Sequence, residues 1–98
     1  MDLQREIVKK KLEATIAAIN AAVLCKKQMW YTEAEDCKRI QDHLISQLYE
    51  ELFWANIVGY KVDYKKDEYT EEFSLLSVDE RPKEEHTKIL EKYLESAS

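Results

Sequence analysis

Apolar residues along this chain recur with two different periods. From Leu3 to about Lys27, and again from Thr32 to Val58, they return every three or four residues, the spacing that places side chains on one face of an α-helix. In the second stretch Cys37, Ile40, Leu44, Leu48, Leu52 and Ala55 form a single stripe. Thr32 and Glu35 have the capping-box spacing, in which a hydroxyl and a carboxylate each accept a backbone N–H that the first turn leaves unpaired. Gly59, the one glycine in the chain, stands where a left-handed residue would end the helix. The pattern thus predicts a helix over 32–58 with both of its ends specified.

The first helix carries two adjoining apolar facets. Val8, Leu12, Ile16, Ile19 and Val23 form one of large side chains, while Ile7, Ala14, Ala18, Ala21, Ala22 and Cys25 form one of mostly small ones. Together they exceed the stripe of roughly 100° that one neighbour covers, so this helix is expected to touch two things. The short connection Gln28 to Tyr31 makes the two helices antiparallel neighbours. Cys25 and Cys37 lie equally far from Tyr31, which places them close together across such a hairpin. On that basis the small facet is expected to face the second helix. The large facet Leu12, Ile16, Ile19 and Val23 is left for the C-terminal third or a second copy, and is the candidate self-association surface of a homodimer.

After Gly59 the period falls to two. Tyr60, Val62 and Tyr64 alternate with Lys61, Asp63 and Lys65, as in a strand with one wet face. Residues 68–77 fit two readings. Tyr69, Glu71, Phe73 and Leu75 suit a returning strand, whereas Tyr69, Phe73 and Leu76 suit a helix N-capped by Asp67. The strand is favoured, because a lone strand would leave its backbone groups unpaired. Pro82 at a first helical position, Glu84 and Glu85 in the first turn, then Ile89, Leu90, Tyr93 and Leu94, mark a short last helix that frays from Glu95. The expected fold is mostly α: an antiparallel two-helix hairpin, a small β-hairpin or third helix, and a short C-terminal helix, in a single domain over 1–98.

Composition narrows the function more by exclusion than by assignment. The net charge is −5, divided into +3 over residues 1–30 and −8 over 31–98. Charged residues near the start interrupt any signal-peptide core, the apolar run Ala14 to Cys25 is too short to span a bilayer, and two cysteines suit a reducing compartment. A cytoplasmic protein without membrane insertion is expected. His43 and His86 are widely spaced, neither has a Glu three residues before it, and no Cys-x-x-Cys occurs, so no metal is expected. One glycine cannot build a phosphate cradle, and both cysteines lie on apolar facets where thiols are inert. Glu33, Asp36, Glu50 and Glu51 on the second helix meet only Glu6 and Glu13 on the polar side of the first, which does not converge on a Mg²⁺ site. Lys9, Lys10 and Lys11 point in three directions and the remainder is acidic, so direct nucleic-acid binding is disfavoured. Neither an enzyme nor a cofactor is expected.

What is left is a surface. Arg39, His43, Gln47, Glu50 and Trp54 share an edge of the second helix off its apolar stripe. Seven of the ten aromatics fall between residues 49 and 73, interleaved with acids. Tyr and Trp offer rigid amphipathic contact area, so the expected function is a small protein-binding module of inhibitor or adaptor type. Its candidate partner contacts are His43, Glu50, Trp54, Tyr60, Tyr64 and Tyr69. An acidic mimic that blocks a nucleic-acid-binding protein, and a helical domain holding a small ligand between its helices, are the competing readings.

Overall fold

The computed structural model of the chain describes residues 3–28 and 31–97, and side chains within those ranges except Tyr31 and Thr32. The elements are α1 (Leu3–Gln28), α2 (Tyr31–Val58), β1 (Tyr60–Lys66), β2 (Phe73–Glu80) and α3 (Lys83–Ala97). This is the mostly-α arrangement expected from the periodicity, with a β-hairpin over the ambiguous stretch. The Thr32 cap and the central residues of the first turn lie outside what is described.

Two polar pairs give the direction of the helical hairpin. The Thr15 hydroxyl donates to the Glu51 carboxylate, and Lys26 Nζ donates to Gln41 Oε1 at 3.1 Å, so residues later in α1 meet residues earlier in α2. Helix α1 does touch two neighbours, α2 on one side and β2 on the other. Its large facet is covered by the C-terminal third, one of the two coverings expected for it, and by α2 as well. Leu12, Ile16, Ile19 and Val23 are all buried in one cluster with Leu48 of α2 and Tyr60, Phe73 and Val78 of the hairpin. Of the small facet, Ile7, Ala14 and Ala21 are exposed, Ala18 and Cys25 half-buried and Ala22 buried. The self-association surface read from the sequence is therefore covered by the chain itself. The reason is that burying each large aliphatic side chain is worth about 1.5–3 kcal/mol, and the β-hairpin folds back to cover them.

The stripe of α2 is also shifted. Leu48 and Ala55 are buried and Leu44, Ile45 and Leu52 partly so, but Ile40 is 55% exposed while Gln41 is buried in its place. A polar side chain can occupy that position because Lys26 satisfies it. The same lysine reaches Glu71 at 2.7 Å, tying α1, α2 and the hairpin tip at one point.

Strands β1 and β2 pair antiparallel from Tyr60↔Glu80 to Lys66↔Phe73, with an irregularity after Asp63. Ser77 opposes Asp63 and Leu75 opposes Tyr64, so Leu76 is the extra residue of a bulge and turns outward. The connection depends on Asp67, whose carboxylate accepts the backbone N–H groups of Tyr69 (2.8 Å) and Thr70 (3.1 Å). Those bonds hold its pKa below the ordinary aspartate value. Asp67 thus makes the cap-type contact anticipated for a helix start, but closes a turn instead. Glu71 follows at φ 65°, a left-handed conformation unusual for a side-chain-bearing residue. The Lys26 ammonium holds its carboxylate there and lowers its pKa.

Helix α2 ends at Gly59, where φ is 105° and an added Cβ would stand 3.1 Å from the His86 ring. His86 Nε2 lies 2.7 Å from the Ile57 carbonyl, one of the orphan acceptors at the end of α2. In this way α3 is seated on the end of α2. The Pro82 carbonyl accepts the His86 N–H at 3.1 Å, so proline stands just before the first turn of α3, and the helix extends to Ala97.

Cys25 and Cys37 meet across the hairpin. Burial, followed by a thiol–thiol hydrogen bond with Cys25, raises the pKa of Cys37, and the carboxylates of Asp36 and Glu33 add to the effect. Excess oxidised glutathione at alkaline pH is expected to give an intramolecular Cys25–Cys37 disulfide, detected by non-reducing peptide mapping. Exclusively intermolecular bridges would show that the two thiols do not face each other.

Candidate functional site

A helix buries one stripe, so two consecutive large aromatics on it cannot both face the core. Phe53 and Trp54 are such a pair. They stand on either side of the direction in which Leu52 and Ala55 point inward, and are 44% and 49% exposed. Helix α3, held by the His86 contact, adds Tyr93. The ring centroids of Phe53 and Trp54 are 5.4 Å apart, those of Phe53 and Tyr93 5.6 Å, and those of Trp54 and Tyr93 6.3 Å, all in edge-on or tilted arrangements. Such geometry suits ring quadrupoles and fixes the three side chains relative to one another.

The cluster borders two depressions. On one side Trp54 and Glu50 of α2 line a groove of about 370 Å³ against Val8 and Lys11 of α1. On the other, Phe53 and Tyr93 line a depression of about 620 Å³ between α2 and α3. Arg81 lies at the second of these, with Nη2 donating to Asn56 Oδ1 at 2.8 Å. Below the rings, Thr15 holds the Glu51 carboxylate against α1, so Glu51 serves the packing of the two long helices.

The six partner contacts read from the sequence do not form one surface. His43, Glu50 and Trp54 are exposed along one edge of α2, at the spacing that aligned them in the sequence. Tyr64 lies around the side on β1, stacked on Phe73 with centroids 6.2 Å apart. Tyr60 is only 4% exposed and belongs to the core, where its hydroxyl points to Gln4 Oε1 at 3.5 Å, so it is withdrawn as a contact. The alternation 60, 62, 64 shows which residues share a face of β1 but not how far that face is covered, and α1 covers its first residue. Tyr69 is 97% exposed, but at the hairpin tip, which Lys26 and Lys27 hold beside the end of α1. Sequence reasoning missed Phe53 and Tyr93 as members of the site. The adjacency of Phe53 and Trp54 was the available signal for the first, and none existed for the second.

Among the described residues no group of His, Cys, Asp and Glu is placed to hold a metal ion, and no helix is long and apolar enough to cross a membrane. No family model, curated protein or solved structure matches this chain.

Proposed function

We propose that this chain is a non-enzymatic protein-binding module of inhibitor or adaptor type, acting in the cytoplasm. Its contact surface is the cluster of Phe53, Trp54 and Tyr93, with His43 and Glu50 continuing along the same edge. The observation that carries this reading is the half-exposure of Phe53 and Trp54 in mutual contact on the outside of α2. Large rings held rigid at a surface lose little side-chain freedom on docking and are enriched among interface hot spots. A homodimer would need a surface other than Leu12, Ile16, Ile19 and Val23, which are inside the chain. The acidic-mimic reading has less support, since Asp67 is engaged within the hairpin turn and Glu71 by Lys26 of α1.

Affinity capture from the native cell, with wild-type and Trp54→Ala chains as parallel baits, tests the proposal. A partner retained by the wild type is expected to bind the variant with a loss of about 2 kcal/mol or more, at a stability close to wild type. Undiminished binding by Trp54→Ala would remove the ring cluster from the interface. Binding that falls steeply with added salt would favour the acidic mimic instead.

A further inference from the structure

The depression between α2 and α3 differs in charge from the rest of the molecule. Its volume of about 620 Å³ lies in the range of small-molecule sites. Phe53 and Ile57 of α2 and Ile89 and Tyr93 of α3 make its apolar walls. Among the described residues the charged side chains lining it are Arg81 and Lys92, both cations, in a chain of net charge −5. Arg81 is three-quarters or more buried, yet its donors are incompletely used. Nη2 has Asn56 Oδ1, Nη1 has the half-exposed Glu85 carboxylate at 3.5 Å, and Nε is buried with no acceptor among the described residues. A guanidinium carries five N–H donors in a planar fork that matches a carboxylate, and the two Nη groups have donors beyond those that Asn56 and Glu85 take.

We propose that this cavity binds a small amphipathic carboxylate. The apolar body, aromatic or aliphatic, lies between Phe53, Ile57, Ile89 and Tyr93, and the carboxylate is held by Arg81 and Lys92. The lining favours both parts of the ligand: apart from Asn56 and Ser96 the uncharged walls are apolar or aromatic, and the two cations give a purely apolar molecule no partner. Three separate pieces of the fold build the site, namely α2, α3 and the β2–α3 connection that carries Arg81. No residue of α3 is fully buried in the free chain. A ligand bridging α2 and α3 therefore supplies packing that α3 lacks, and binding raises thermal stability.

The test is calorimetric titration and thermal melting of the full chain with 2-naphthoate, its uncharged analogue 2-naphthamide, and laurate as the aliphatic arm. One naphthoate per chain is expected, with a rise in Tm, and the amide is expected to bind about ten-fold more weakly because it lacks the charge-assisted bonds. Lys92→Gln should weaken naphthoate several-fold and leave the amide unchanged, which a merely loosened helix would not do. Laurate binding alongside naphthoate would show that the body is set by apolar volume, and its absence that the rings select an aromatic. His43→Ala, nearly three turns of α2 from this lining, should keep naphthoate affinity even where it weakens partner capture, so failure of one reading is separable from failure of the other. Equal binding of acid and amide, an unaffected Lys92→Gln, or no Tm shift at millimolar naphthoate would overturn the proposal.

Discussion

Leu48→Ala is expected to lower folding stability by about 2–5 kcal/mol in a urea melt, with the slope of the transition unchanged. Leu48 is 1% exposed and is the large side chain through which α2 enters the core shared with Leu12, Ile19, Val23 and Val78. Removing its isobutyl end leaves a cavity that cannot easily collapse. Thr15 with Glu51 on one side and Lys26 with Gln41 on the other hold α1 and α2 at their present separation. Domains of this size have a total stability of about 5–15 kcal/mol, so the variant stands near the edge of folding. Two turns away, Trp54 lies outside the core, and its truncation should spare stability. If Trp54→Ala proves as destabilising as Leu48→Ala, the ring cluster is structural. If Leu48→Ala costs under about 1 kcal/mol, α2 packs through a different face.

Asn20→Ala is expected to be nearly as severe, by a different mechanism. The Asn20 carboxamide uses both of its ends on one residue of β2: Nδ2 donates to the Phe73 carbonyl at 3.0 Å, and Oδ1 accepts the Phe73 N–H at 2.9 Å. A helix side chain here pairs with strand backbone much as a neighbouring strand would. Phe73 is 2% exposed, so water cannot readily replace the lost partner. Each buried polar group left unsatisfied costs about 1–3 kcal/mol, which gives about 2–5 kcal/mol for the two together, allowing for partial relaxation. Hydrogen exchange localises the effect. The Phe73 amide and its neighbours in β2 should lose protection first, while the middle of α1 keeps it. A change below about 0.5 kcal/mol would mean that the carboxamide does not bridge helix and strand.

Neither Asn20 nor Gln41 could be assigned a structural role from the sequence. On a hydropathy pattern a polar residue within an apolar run reads as an interruption, and Ile40 looked the better candidate for the buried stripe. The partners that let Asn20 and Gln41 enter the interior, Phe73 and Lys26, are 53 and 15 residues away along the chain. Arg81 is a similar case. In sequence it is a charge before a proline, and only the meeting of α2 with α3 makes it the cationic end of a cavity.

What the sequence determined by itself was local: two long helices, a glycine stop at Gly59, a strand of period two after it, a proline-marked third helix, and Asp67 as a residue whose carboxylate collects nearby N–H groups. These follow from backbone sterics and hydrogen bonding among residues a few positions apart, which no distant contact needs to supply. The tertiary structure alone decided what covers α1's large facet, that Tyr60 lies inside while Trp54 lies outside, and that Phe53, Trp54 and Tyr93 meet. A helical period says which residues share a face, but whether that face is covered depends on where the β-hairpin and α3 come to rest. That placement is set by many weak contacts between distant segments, each too small to be read from its own stretch of chain.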